Sequence, residues 1–141
     1  RRVSAALKMI TDIERVGDQS ADIADLNIQL IKKKQKWDLS DISEMARAAT
    51  QMVNDAIDAY VNDDENLARK VISSDDKIDE LFVKTKDKII DEIAADKANG
   101  EKAIDTLMVA KYLERIGDHA VNIAEWVVFS VTGVHKTERI M

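Results

Sequence analysis

The chain has no cysteine and no proline, only four glycines, and just two each of Trp, Tyr and Phe. Without cysteine, neither a disulfide framework nor a thiolate metal site can form. Without proline, and with so little glycine, stop signals are scarce and the elements are expected to be long. No apolar run approaches the ~18 residues that span a bilayer; residues 126–131 are apolar, but the run is short. The opening Arg1-Arg2-Val3-Ser4 has no signal-peptide pattern behind it, and cytoplasm is the expected compartment.

What the chain does have is a globular balance. Hydrophobic residues make up 45% and charged residues 34% of its 141 residues, and a chain of this size buries roughly 70% of its unfolded surface. Alanine, isoleucine, lysine, glutamate and aspartate dominate, a composition that favours helices. The net charge of −6 gives no reason to expect nucleic acid. The basic run Lys32, Lys33, Lys34, Lys36 reads as a solvated helix end, where cations suit the helix dipole.

Periodicity predicts four helices. The first covers residues 1–36, and Asp38 or Ser40 is expected to cap the second. That helix, to Val61, carries a seam at Ile42, Met45, Ala49, Met52, Ala56 and Ala59, in alternating steps of three and four. Asn62 with Glu65 three positions on resembles a capping box that opens the third helix. This helix runs through Leu67, Val71, Ile78, Leu81, Ile89 and Ile93 to about Ala98. Asn99-Gly100 should break the chain, and the fourth helix should run from Glu101 to Thr132, with Gly133 as its stop. Short connections between long helices favour antiparallel neighbours. The expected fold is all-α: an antiparallel three-helix bundle over residues 38–133, preceded by the helix of residues 1–36 and followed by a tail, 134–141. Its core should include Met45, Met52, Ile78, Leu81, Leu107, Val121 and Val128.

The first and last helices repeat each other. Glu14-Arg15-Val16-Gly17-Asp18 recurs a hundred positions later as Glu114-Arg115-Ile116-Gly117-Asp118, and Ile23-Ala24 recurs as Ile123-Ala124. Self-similarity at a fixed offset marks a duplicated unit. Two helices precede the second copy and almost nothing precedes the first, so a three-helix unit is expected to have lost its first two helices here. The apolar residues Leu7, Ile10, Val16, Ala21, Ala24 and Ile28 of the first helix then need cover. They should find it on the bundle or on another copy of the chain.

At about 100° per residue, Ala110, Gly117, Val121, Ala124 and Val128 define one buried stripe, and Glu114, Asp118 and Glu125 line its flank. In the first copy Glu14, Asp18 and Asp25 fill the same places. Like charges four apart cost a helix roughly 0.2–0.5 kcal/mol, so something positive should face them. Two readings are open: lysine or arginine, including the nearby Lys111 and Arg115, or a metal ion held by oxygen ligands. On the third helix Asp75 and Asp79 repeat the spacing, and Asp76 and Glu80 do so one step round; either Asp75 or Asp79 is expected to face Glu114 and Asp118, or these acids form an exposed acidic face. A mid-helix glycine costs about 1 kcal/mol against alanine, so Gly17 and Gly117 each imply a close neighbour. His119 and Trp126 fall on the side away from the stripe, and His119 is expected to face solvent.

The run from Glu114 to Trp126, with the segment Phe129-Ser130-Val131-Thr132-Gly133 after it, resembles the signature of the PhoU family. The resemblance implies two similar three-helix bundles and a multinuclear iron or zinc cluster held through Glu/Asp-x-x-x-Asp pairs. The matching residues are Glu14 and Asp18, Glu114 and Asp118, and, as a weaker match, Asp75 and Asp79. It further implies a homodimeric, cytoplasmic, non-enzymatic regulator, peripheral to the membrane through two partners: a phosphate ABC transporter ATPase and a membrane histidine kinase. Two other functions compete. A carboxylate-bridged di-iron enzyme would use Glu-x-x-His pairs, but the residues three before His119 and His135 are Ile116 and Thr132. A purely structural helical module is the third reading.

Overall fold

The computed structural model describes residues 1–32 and 40–135. It contains α1 (Arg2–Lys32), α2 (Ser40–Val61), α3 (Glu65–Ala95), a single 3-10 turn (Lys97–Asn99) and α4 (Gly100–Thr132). No strand occurs among the described residues. Of the two expected caps of α2, Asp38 lies outside the described residues and Ser40 is the first residue of the helix itself; the end of the expected first helix, residues 33–36, and the tail beyond His135 also lie outside them.

Local chemistry moves two boundaries from where the pattern put them. Asn62 does not cap α3. Asp63 takes a left-handed backbone, φ 51°, which ends α2 and delays the next helix. Asp64 is then the cap: it is extended, and its carboxylate accepts the Leu67 N–H at 3.0 Å. Gly100 is not a left-handed break either. With φ −59° it opens α4, and the reversal is made instead by Asp96, whose carboxylate accepts the Ala98 N–H at 2.9 Å. Gly133 is the left-handed stop expected of it, with φ 79° and its N–H donated to the Phe129 carbonyl.

The three helices α2, α3 and α4 form the bundle, and α1 lies antiparallel along α4. α4 touches all the others, and α1 packs chiefly against α4. Met45, Met52, Ile78, Leu81 and Val121 are buried as expected, while Leu107 and Val128 sit half-exposed at the edge of the seam. Gly117 has the close neighbour its cost implied: a Cβ there would stand 3.0 Å from Ile78 Cδ1, and Ile78 is fully buried. Gly17 does not, since nothing lies within 4 Å of a Cβ built on it. The reason is orientation. α1 meets the core through Ala5, Met9, Val16, Ile23, Leu26 and Leu30, and Gly17 lies on another side of the helix, with Leu7, Ile10 and Ile28, which stay exposed.

His119 corrects the sequence reading. It is turned from solvent because α1 covers that side of α4, and its Nδ1 lies 2.9 Å from Asp12 Oδ1. Asn122 donates to the same oxygen at 3.2 Å. At the far end the Arg2 guanidinium pairs with Asp63, and the Tyr60 hydroxyl donates to the Arg2 carbonyl at 3.1 Å. These contacts fix the register of α1.

Asp41 is a buried carboxylate one turn before Met45, on the core seam of α2. Lys88 reaches it at 2.5 Å and Lys84 at 3.4 Å, both from α3. The bond to Lys88 holds its carboxyl below the usual range, against burial, which pushes the other way.

Two outcomes follow. In thermal or urea unfolding at dilution, Gly17→Ala should gain about 0.5–1 kcal/mol. Gly117→Ala should lose that gain against Ile78, and Gly117→Leu should cost about 1–3 kcal/mol. Asp41→Asn should cost about 1 kcal/mol at neutral pH, because the pairing is charge-assisted but the lysines are half in water. Since the folded carboxyl titrates below the unfolded one, that contribution is complete above the unfolded value of ~3.9. It is lost as pH falls further, so the parent and variant curves should converge in acid.

Candidate functional site

The acidic line of α4 runs along its border with α3, where Gly117 lets the two helices approach. Glu114 is half-buried, and Lys111 Nζ binds its Oε1 at 2.6 Å. The same ammonium lies 5.3 Å from the centre of the Phe82 ring on α3, close enough for a cation–π contact. Asp118 is one turn further on. Its carboxyl is pushed above the usual range, first by partial burial and then by the Glu114 and Asp79 carboxylates; Lys111 and His119 pull the other way. Asp75, opposite Gly117, has its Oδ1 buried 3.8 Å from where a Cβ on that glycine would stand.

The expected meeting of α3 and α4 acids therefore exists, with Asp75 beside Gly117 and Asp79 felt by Asp118. Glu14 and Asp18 stand apart from it, exposed on α1. Of the two readings for the compensating charge, the contact seen is the lysine one. Among the described residues no three of His, Asp and Glu gather closely enough to hold a metal ion. As arranged, the set lacks the third donor that an iron or zinc site needs, and Lys111 already holds one Glu114 oxygen.

Two polar groups escaped the sequence reading. Asp41 had a usable signal, because it continues the step of four before Met45 and so puts a carboxylate on an apolar seam. Asp12 had none: the repeat aligns it with Tyr112, and only the packing of α1 on α4 brings it to His119 and Asn122. Trp126 is half-buried at the far end of α4, its ring stacked on His135 at 3.9 Å and edge-on to Phe129 at 5.6 Å. A 320 Å³ cleft between α3 and α4, lined by Ile72, Val128 and Val134 with Arg69 and Glu125, is apolar and about two turns from Asp118.

A profile of the PhoU domain matches residues 42–127, more than half the chain and nearly all of α2 to α4. The chain belongs to the PhoU family. It is 32% identical over 133 residues to a phosphate-specific transport system accessory protein PhoU homolog of Clostridium acetobutylicum. It is 34% identical over 139 residues to a homolog 1 of the same description from Thermotoga maritima. These matches cover 94% and 98% of this chain but only 61% and 60% of the relatives. The chain thus spans about three-fifths of their length. The crystal structure of PhoU from Pseudomonas aeruginosa superposes with a TM-score of 0.90 at 28% identity, covering 94% of this chain and 65% of that one. The all-helical PhoU architecture is therefore shared by α1 to α4.

The crowding at Asp118 has a measurable sign. A carboxyl whose folded pKa is raised stabilises fully below its unfolded pKa and loses that stability as pH rises through the folded one. Asp118→Asn should therefore raise the melting temperature of metal-free protein at neutral pH. The gain should shrink toward zero below ~3.9. A loss of stability at neutral pH would show that Asp118 is ion-paired rather than crowded.

Proposed function

We propose that the chain is a non-enzymatic regulator of phosphate uptake and phosphate-starvation signalling. It acts on the cytoplasmic side by docking on the ATPase of a phosphate ABC transporter and on a membrane histidine kinase. The observation that carries this reading is the PhoU-domain match over α2–α4, joined to relatives named as accessory proteins of the phosphate-specific transport system. The physical character of the molecule supports it: a helical bundle with large apolar side chains exposed on α1, α3 and α4 offers surfaces for proteins. No described helix is long and apolar enough to cross a membrane, so contact with a membrane complex would run through such partners. Expression in a bacterium lacking its own PhoU, with alkaline phosphatase as the reporter, tests the proposal. Repression in phosphate-rich medium should return, and the chain should co-purify with the transporter ATPase. Normal protein levels with an unchanged reporter and no ATPase bound would refute it.

A second reading attaches a transition metal, iron or zinc, to Glu114 and Asp118 with Asp79 or Asp75 turned inward. It is favoured by the setting of Asp118, raised first by burial and then by the Glu114 and Asp79 carboxylates, whose repulsion a cation would relieve. Lys111 would have to release Glu114. Elemental analysis of untagged protein decides it: a metal-to-protein ratio that falls in Asp118→Asn supports the site, and one that stays unchanged removes Asp118 from it.

A further inference from the structure

The cleft between α3 and α4 lies outside the acid set, and its chemistry is selective. Its volume of 320 Å³ is at the small end of the ~300–1,000 Å³ of ligand pockets, enough for one large side chain. Ile72, Val128 and Val134 make the lining apolar, and most polar groups around them are already engaged. Arg69 is held on Glu65, with Nε at 2.8 Å and Nη2 at 2.7 Å. Ser73 donates its hydroxyl to the Lys70 carbonyl and Thr132 donates to that of Val128, each at 2.8 Å. Glu125 differs. It is half-buried in the cleft wall and pairs with no cation among the described residues. Seven positions before it on the same line of α4, ~10 Å away, stands the exposed Asp118, with the Glu114 and Asp79 carboxylates close enough to repel it. Cleft and carboxylates thus form one seam. By the repeat, helices equivalent to α2 and α3 belong on α1, the twin of α4, so this seam is not theirs to cover.

We infer that this seam seats a basic amphipathic helix of a protein partner, with one large apolar side chain in the cleft and two cations, seven residues apart, on Glu125 and Asp118. The inference rests on the docking reading above and adds the chemistry of the partner. Charge selects the occupant. The nearest cations, Arg69 and Lys111, already serve Glu65 and Glu114, so the charge still to be answered along the seam is negative. An acidic helix would meet repulsion at both carboxylates. Shape argues against a small molecule. A ligand that fills the cleft does not reach Asp118, about two turns away, whereas a helix presents the same face every seven residues. On that helix the apolar anchor falls three or four positions beyond the second cation, as Val128 falls three beyond Glu125. Ion pairs at an exposed rim are weak. The anchor therefore supplies most of the affinity, and the charges set orientation and choice of partner.

The probe is a dye-labelled synthetic helix of alanine and glutamine, with lysines at its fourth and eleventh positions and a leucine at its fourteenth. Fluorescence anisotropy against the 141-residue chain should give a dissociation constant of about 10–100 micromolar. Added sodium chloride should weaken the complex, and alanine in place of the leucine should remove most of it. Glu125→Lys should weaken binding about tenfold, and Glu125→Gln, which keeps the shape, should weaken it less. A probe with glutamate at its eleventh position should recover on Glu125→Lys. No binding at about 1 millimolar chain would overturn the inference, as would binding indifferent to Glu125→Lys or to the leucine. The phosphatase reporter separates this result from the docking reading itself. Repression restored equally by the parent and by Glu125→Lys would overturn the seam and leave the regulator standing. A probe that binds as expected to a chain that restores nothing would keep the seam and remove the regulator.

Discussion

α4 is in contact with every other helix, and that demand governs the structure. A helix hemmed in on three sides cannot carry bulk everywhere. α4 meets its neighbours through Ala103, Ala110, Gly117, Ala120 and Ala124, all buried. At Gly117 the approach is close, with Ile78 at 3.0 Å from the position a Cβ would take. That approach fixes how α3 lies on α4 and therefore which acids meet. With α3 held this close, Asp75 and Asp79 are drawn to the flank where Glu114 and Asp118 already stand. The charge crowding at the site is a by-product of backbone proximity as much as of acidic composition.

The molecule treats its buried and bordering carboxylates in opposite ways. Asp41 is enclosed but answered by Lys84 and Lys88, and its acidity rises. Asp118 is less enclosed, but partial burial and the neighbouring Glu114 and Asp79 carboxylates outweigh Lys111, which binds Glu114, and its acidity falls. The first arrangement is structural glue between α2 and α3. The second leaves a carboxylate with a standing preference for positive charge, the kind of perturbed group that functional sites collect. A cation, a lysine from a partner or a proton would each satisfy it.

Much of this was legible in the sequence because it depends on spacing. The seam Met45, Ala49, Met52, Ala56, Ala59 gave a buried face, the repeat gave two equivalent helices, and a costly mid-helix glycine gave the approach of Ile78 to Gly117. The misses share a cause. Gly17 lacks a neighbour because the same motif sits on two helices with different surroundings, and a motif does not state its surroundings. His119 was placed in solvent because its side of α4 carries no seam, whereas α1 uses that side and supplies Asp12. The Asn62 cap failed over a left-handed Asp63, a backbone choice that side-chain pattern does not encode. Of the acid line, the meeting of α3 and α4 and the nearness of Lys111 could be read from periodicity; that Lys111 binds Glu114 depends on packing that spacing does not state.

The docking of α1 also orders events in time. Most of its contacts in this chain are with α4, the last of the four helices to be synthesised. A ribosome adding about 5–20 residues per second exposes α1 for seconds before its seat exists, while α2 and α3 can already pair as a hairpin. Through that interval the face of α1 that α4 later covers is bare. Until α4 has emerged, α1 is therefore a better client for a chaperone than it is in the finished fold.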